Sequence, residues 1–350
     1  MDDSASQVDE PGRAFEEAGP AARRSGGGGR RLFLGAALAI LVAVTTWLFG
    51  HLPWVVSGFS WPTTEAAPVG SSSEGLAGVR LTIPLVAAFL PSLIAFSTIG
   101  AVAAALLPMV FTIRSGQRVP ALGVAVASVL VTTVVITLMA RRTITDTASD
   151  AFAGDSRVLL GLVLVVGATT LVGAATGAAA CLQVGLLPLA AALAAGQVRP
   201  WVEGFLVGRG LSADTVRNAE HTSNALVLLV LTVAFALSVR RTLWWALLWP
   251  VAIALYWTAA PFRTATVYLA GQLRPSSGLP DTLPDILDGA LEVFRVAYWE
   301  VPQAPWPWLV AVVLALAWHV IDRTRRRSRG RAGPTGAAAA AEPGPSEARR

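Results

Sequence analysis

Apolar runs long enough to cross a bilayer as helices recur along almost the whole chain. A crossing helix needs about 20 mostly apolar residues to span roughly 30 Å of hydrocarbon, and within that layer the backbone must satisfy its own hydrogen bonds. Residues 32–50, 81–113, 119–140, 158–197, 224–239, 242–262 and 306–321 form such runs. Of the 350 residues, 54% are hydrophobic and only 14% charged, more apolar surface than a soluble fold can bury. No long polar block remains once the runs are marked. The expected architecture is therefore all-α: a polytopic transmembrane helical bundle over 31–322, flanked by disordered cytoplasmic tails at 1–30 and 323–350.

The run 158–197 is too long for one crossing, since about 40 residues rise roughly 60 Å as a continuous helix. It is expected to fold back on itself, with turn or kink points supplied by Gly173, Gly177, Gly185 and Pro188. Counting it as two gives about eight spans. In run 81–113, Pro84, Pro91 and Pro108 predict a kinked, tilted or extended helix.

Charge fixes the orientation. Every basic residue is arginine, in a chain dominated by alanine, glycine and valine, which looks like the codon bias of a high-GC bacterial genome. With an even number of crossings and the amino terminus inside, Arg23, Arg24, Arg30, Arg31, Arg114, Arg118, Arg240, Arg241 and the cluster from Arg323 to Arg331 all fall on the inner face. The outer loops are then net acidic, as the rule that arginine-rich loops stay cytoplasmic requires. Arg141 and Arg142 are the awkward pair, falling outside. Trp47, Trp54, Trp244, Trp245, Trp257, Trp306 and Trp308 lie near the proposed ends of spans, where indole favours the headgroup layer. The expected location is the cell membrane, with both termini cytoplasmic and the lipid bilayer as principal partner. A membrane-protein partner or second copy is a further possibility; no nucleic acid, cofactor or metal is expected.

Signals of chemistry are sparse. Arg30-Arg31-Leu32-Phe33-Leu34 resembles the core of a twin-arginine export signal, but no small-residue cleavage site follows Gly50, so an uncleaved first span is expected. The boundaries above leave no charged residue in a hydrocarbon core, which argues against a proton relay or ion-coupled pump. Ser97, Thr169, Thr170, Thr176 and Gln183 remain as polar groups within the runs, and the last four are the candidates for a substrate path. Hydroxyls there more often bond back to their own helix or across to another. Gly173 and Gly177 form a small-x-x-x-small pair that lets two helices approach closely, within the bundle or between copies.

At the outer face, Glu203, Asp214, Glu220 and His221 are candidates for water-exposed chemistry, with His51 at the end of the first span, although their spacing is not that of a metal site. In the last outer loop Ile286, Leu287, Ala290, Leu291 and Phe294 recur at helical spacing after Pro284. This predicts an amphipathic helix along the outer surface, with Asp281, Asp285, Asp288 and Glu292 on its polar side. Neither a lysine-bearing phosphate loop, nor a Gly-x-Ser-x-Gly elbow, nor a His-Glu-x-x-His helix is present, and the single Cys181 excludes an intramolecular disulfide. No catalytic residue is assigned. Three readings remain: a non-enzymatic accessory or permease-like component, a passive or substrate-binding transporter, and an envelope enzyme acting on a lipid-linked substrate at the outer interface.

Overall fold

The computed structural model describes residues 27–57, 85–110, 118–147, 156–206, 212–240, 242–273, 283–300 and 305–331. Among these the chain is all-helical, with no strand. The helices in chain order are α1 Gly27–Ser57, α2 Leu90–Val110, α3 Arg118–Thr147, α4 Ser156–Leu182, α5 Leu187–Gly196, α6 Val198–Gly204, α7 Ala213–Ser238, α8 Trp249–Gln272, α9 Leu283–Glu300 and α10 Trp306–Arg331. Six helical segments are long and apolar enough to cross a membrane: Ala87–Val110, Arg118–Arg142, Ser156–Leu182, Ala213–Ser238, Leu243–Gln272 and Trp306–Ser328. Leu34–Gly50 is a shorter apolar helix.

Proline punctuates these helices at their starts. Leu90-Pro91, Leu187-Pro188, Trp249-Pro250, Leu283-Pro284 and Trp306-Pro307 each open a helix, where the missing N–H removes no helical hydrogen bond. Pro91 therefore begins α2 rather than kinking it, while Pro108 sits two residues from its end. Short 3₁₀ turns at Ala87–Phe89, Val184–Leu186 and Leu243–Leu248 lead into α2, α5 and α8.

Sequence boundaries and helix boundaries differ at several helix ends. The run expected to begin at Asn224 belongs to a helix that starts eleven residues earlier, at Ala213, where Ser212 caps it by accepting from the Thr215 N–H at 3.1 Å. The run expected to end at Phe262 continues to Gln272 and so takes Arg263 into the helix. Arg263, outside the run drawn from the sequence, is therefore part of a helical segment long and apolar enough to cross a membrane. α10 likewise runs on as helix to Arg331, past the boundary expected at 322.

α2 is the most buried of the six long segments. It packs against α4 through a seam of small residues. A methyl group at Gly173 would fall 2.9 Å from the Thr98 carbonyl oxygen and 3.0 Å from the Ala101 Cβ; one at Gly177 would fall 2.9 Å from the Ala105 Cβ and the Val102 carbonyl oxygen. The small-x-x-x-small pair is thus used inside the chain. Because Gly173 meets Thr98 and Ala101 while Gly177 meets Val102 and Ala105, α2 and α4 run parallel. α1 is antiparallel to α2, with Gly100 against Thr46 and Gly50 against Phe96.

The second half of the run 158–197 does not mirror the first. α4 ends at Leu182, the chain turns at Gln183 through Val184–Leu186, and α5 then lasts ten residues. At Gln197 the helix is interrupted: its N–H reaches back to the Ala194 carbonyl at 3.0 Å, and α6 resumes at Val198. Pro200 explains the interruption, since it cannot donate to the Gly196 carbonyl four residues earlier. Gly185 packs under the Trp245 ring, Gly196 on Ala259, and Glu203 pairs with Arg263, so α5 and α6 together run parallel to the α8 segment.

α7 and α8 form the next hairpin. Phe235 stacks on Trp249 at 4.9 Å, and the Trp249 indole N–H donates to the Ser238 hydroxyl at 3.1 Å. α10 packs along α7, contributing Ala311 and Ala315 to a core shared with Val227, Leu231 and Phe235. α9 lies along α8, with Gly289 against the Tyr268 hydroxyl. Apolar side chains are exposed around the outside of the bundle, including Val131, Val134, Val135 and Leu138 on α3 and Val313, Leu316 and Val320 on α10. Such an apolar exterior is consistent with a lipid bilayer around it.

Candidate functional site

The break at Gln197 faces a cavity of about 490 Å³. Its walls come from five helices: Ile94 and Thr98 of α2, Thr169 and Val172 of α4, Leu193 of α5 with Gln197 itself, Thr258 and Phe262 of α8, and Phe294 of α9. The lining is mainly aliphatic and aromatic, with isolated polar groups, the usual make-up of a small-molecule pocket.

Those polar groups differ in their hydrogen bonds. Thr258 donates to its own helix at Leu255, 2.8 Å away. The Thr169 and Ser97 hydroxyls bond to each other at 2.6 Å, and each also lies 2.7 Å from a carbonyl of its own helix, Val165 and Leu93 respectively. The bond between the two hydroxyls ties α4 to α2 beside the cavity. Thr98, 3% exposed, and Gln197, 8% exposed, have no side-chain hydrogen-bond partner among the described residues. Gln197 thus brings a primary amide, with two donors and an acceptor, to the lining of the cavity.

Of the substrate-path candidates from the sequence, the structure places Thr169 in this cavity. Thr170 points the other way; it is 1% exposed, and its hydroxyl has no partner among the described residues. Thr176 bonds back to the Val172 carbonyl at 2.9 Å. Gln183 is exposed at the turn after α4 and is not part of the cavity lining. The amide that does line the cavity, Gln197, marked only the end of an apolar run in the sequence. A glutamine three residues before a proline, inside such a run, was the available signal.

The outer-face candidates are dispersed. Glu203 on α6 takes part in a three-residue ion cluster: Arg199 Nε and Arg263 Nη1 both approach its Oε1, at 3.1 and 3.3 Å. Asp214 is highly exposed and lies 3.9 Å from Arg217 one turn along α7, while Glu220 and His221 are exposed on the same helix. Asp285 is exposed on α9, whose buried side carries Ile286, Ala290 and Ala297. Asp281 and His51 fall outside the described side chains. Among the described residues no three His, Cys, Asp or Glu side chains converge as a metal-binding group.

Comparison with protein-family models, curated proteins and solved structures finds no match for this chain. The functional reading therefore rests on the residues and their geometry.

Proposed function

We propose that this chain is a non-enzymatic, permease-like component of the cell membrane that accommodates a mainly apolar molecule in the cavity at the Gln197 break. The supporting observation is the pairing of an open, apolar-walled cavity with the Gln197 amide, which has no side-chain hydrogen-bond partner among the described residues. Broken helices commonly form the binding sites of membrane transporters, because the break supplies polar groups at depth. No carboxylate or histidine joins Gln197 among the residues lining the cavity, so the reading is one of passive accommodation through hydrogen bonds and apolar contact.

In this reading the chain crosses the membrane eight times, with both termini cytoplasmic. α5 and α6 make the crossing that a hydropathy window overlooks: their 187–204 path rises roughly 27 Å, close to the hydrocarbon thickness. The parallel contacts of this path with α8 support equal depth for the two. α1 supplies the remaining crossing, and α9 is an amphipathic helix of the last outer loop, laid against α8 with its acidic side toward water.

The test is binding of long-chain alcohols by the full-length protein in maltoside detergent, followed by native mass spectrometry and thermal shift. Thr258→Phe and Ala168→Phe, which place a ring in the cavity from opposite walls, are expected to abolish a binding that the unaltered chain shows. Binding that survives both substitutions overturns the reading.

A further inference from the structure

Close in the chain to two cavity-lining residues, two arginines share one carboxylate oxygen. Arg199 follows the cavity residue Gln197 by two positions on α6, and Arg263 follows the cavity residue Phe262 by one on α8. Both guanidinium groups approach the same Glu203 Oε1. The cluster carries a net positive charge, and most of the arginine N–H donors have no partner among the described residues. Arg263 is only 30% exposed, although it lies within a segment long and apolar enough to span the membrane. Glu203 offsets only one of the two guanidinium charges, and intramembrane charges generally mark a bound partner or a path.

We infer that the Arg199–Glu203–Arg263 cluster holds a phosphate-bearing headgroup whose apolar chain occupies the neighbouring cavity. This rests on the cavity reading above and names its ligand class: a phosphate amphiphile. Two guanidinium planes offered from different helices suit a tetrahedral oxyanion with several acceptor oxygens, which arginine binds through paired N–H donors. Glu203 holds the two arginines together and offsets one of their charges, leaving the other for the ligand. The mouth of the cavity thus supplies charge, and its interior supplies apolar wall plus the Gln197 amide.

The experiment uses the full chain in neutral maltoside micelles with three probes: dodecyl phosphate, dodecanol and inorganic phosphate. Dodecyl phosphate is expected to bind at least tenfold more tightly than either of the others. Arg199→Gln and Arg263→Gln should each weaken it about tenfold with little effect on dodecanol. Arg199 is half exposed and on a short helix, so its variant remains informative if Arg263→Gln fails to fold. Glu203→Gln should strengthen dodecyl phosphate binding, because it removes the competing anion; a purely structural role for the cluster would weaken it. Inorganic phosphate binding as tightly as the amphiphile identifies a free-anion site and overturns the inference. Dodecanol binding as tightly as dodecyl phosphate, with both arginine variants silent, also overturns it but leaves the cavity reading intact. Dodecyl phosphate binding that persists in Thr258→Phe removes the cavity reading itself.

Discussion

The indole N–H of Trp201 on α6 donates a 2.7 Å hydrogen bond to the backbone carbonyl of Phe49 on α1, 152 residues away in sequence. That carbonyl is available because the residue four positions later is Pro53, which has no N–H to return. The Trp201 ring also stacks on the Phe49 ring with centroids 6.2 Å apart. A helix defect in α1 is thereby repaired by a side chain from the segment that begins at the Gln197 break.

Trp201→Phe keeps the ring and removes the donor. It is expected to lower stability by about 0.5–1.5 kcal/mol, the net worth of one hydrogen bond. Pro53→Ala restores an N–H to that carbonyl, so it should recover much of the loss in the Trp201→Phe background. Thermal unfolding in detergent measures both, and a double variant no better than Trp201→Phe alone contradicts the relationship.

At Gln197 the expected outcome separates stability from binding. Replacing the amide by leucine exchanges a polar side chain for an apolar one in an apolar wall and should raise the thermal midpoint. The same Gln197→Leu change should weaken binding of any hydroxyl- or phosphate-bearing amphiphile. Loss of stability together with unchanged binding would mean that the amide serves the fold and not a ligand.

The α2–α4 seam leaves no space for branched side chains. Gly173→Val or Gly177→Val must push the helices apart, with a penalty of about 1–3 kcal/mol or more. Alanine at Gly123, where nothing lies within contact distance, should be neutral by comparison. Expression level and detergent-resistant folding of the three variants give the ranking.

Buried Cys181 packs in the bundle, so Cys181→Ala provides a background for labelling from either side of the membrane. In intact cells, Ser212→Cys should react with a membrane-impermeant maleimide and Ser328→Cys should react only after permeabilisation. Equal reactivity at both positions contradicts an odd number of crossings between them and the proposed orientation.

The apolar runs of α2, α3 and α4 were legible in the sequence because a lipid-facing helix must be apolar over its whole spanning length. What hydropathy missed follows from what it averages. Arg263 and Ser212 lie where the chain becomes polar, yet a helix is ended or begun by hydrogen bonds: Ser212 caps α7 well before its apolar part, and α8 continues until Gln272. Gln197 was read as a boundary because a polar residue in an apolar run looks like an end. Pro200, three residues on, makes it a break within a continuing helical path. Thr169 was singled out for its position in a run, whereas its neighbours Thr98 and Thr258 join it only through the packing of three helices, which no local pattern encodes.

The parallel packing of α2 on α4 also constrains how the protein is made. Two helices that point the same way through a membrane cannot be consecutive crossings, so the Gly173–Gly177 seam cannot close while the nascent chain holds only its first three helices. Until α4 has left the ribosome and entered the bilayer, the small-residue face of α2 from Thr98 to Ala105 has no intramolecular cover. An insertase or chaperone that shields small-residue faces of newly inserted helices would find its substrate in that interval. Stalling translation just before residue 156 and again after residue 182 would reveal the difference as crosslinking of α2 to such a factor that disappears in the longer chain.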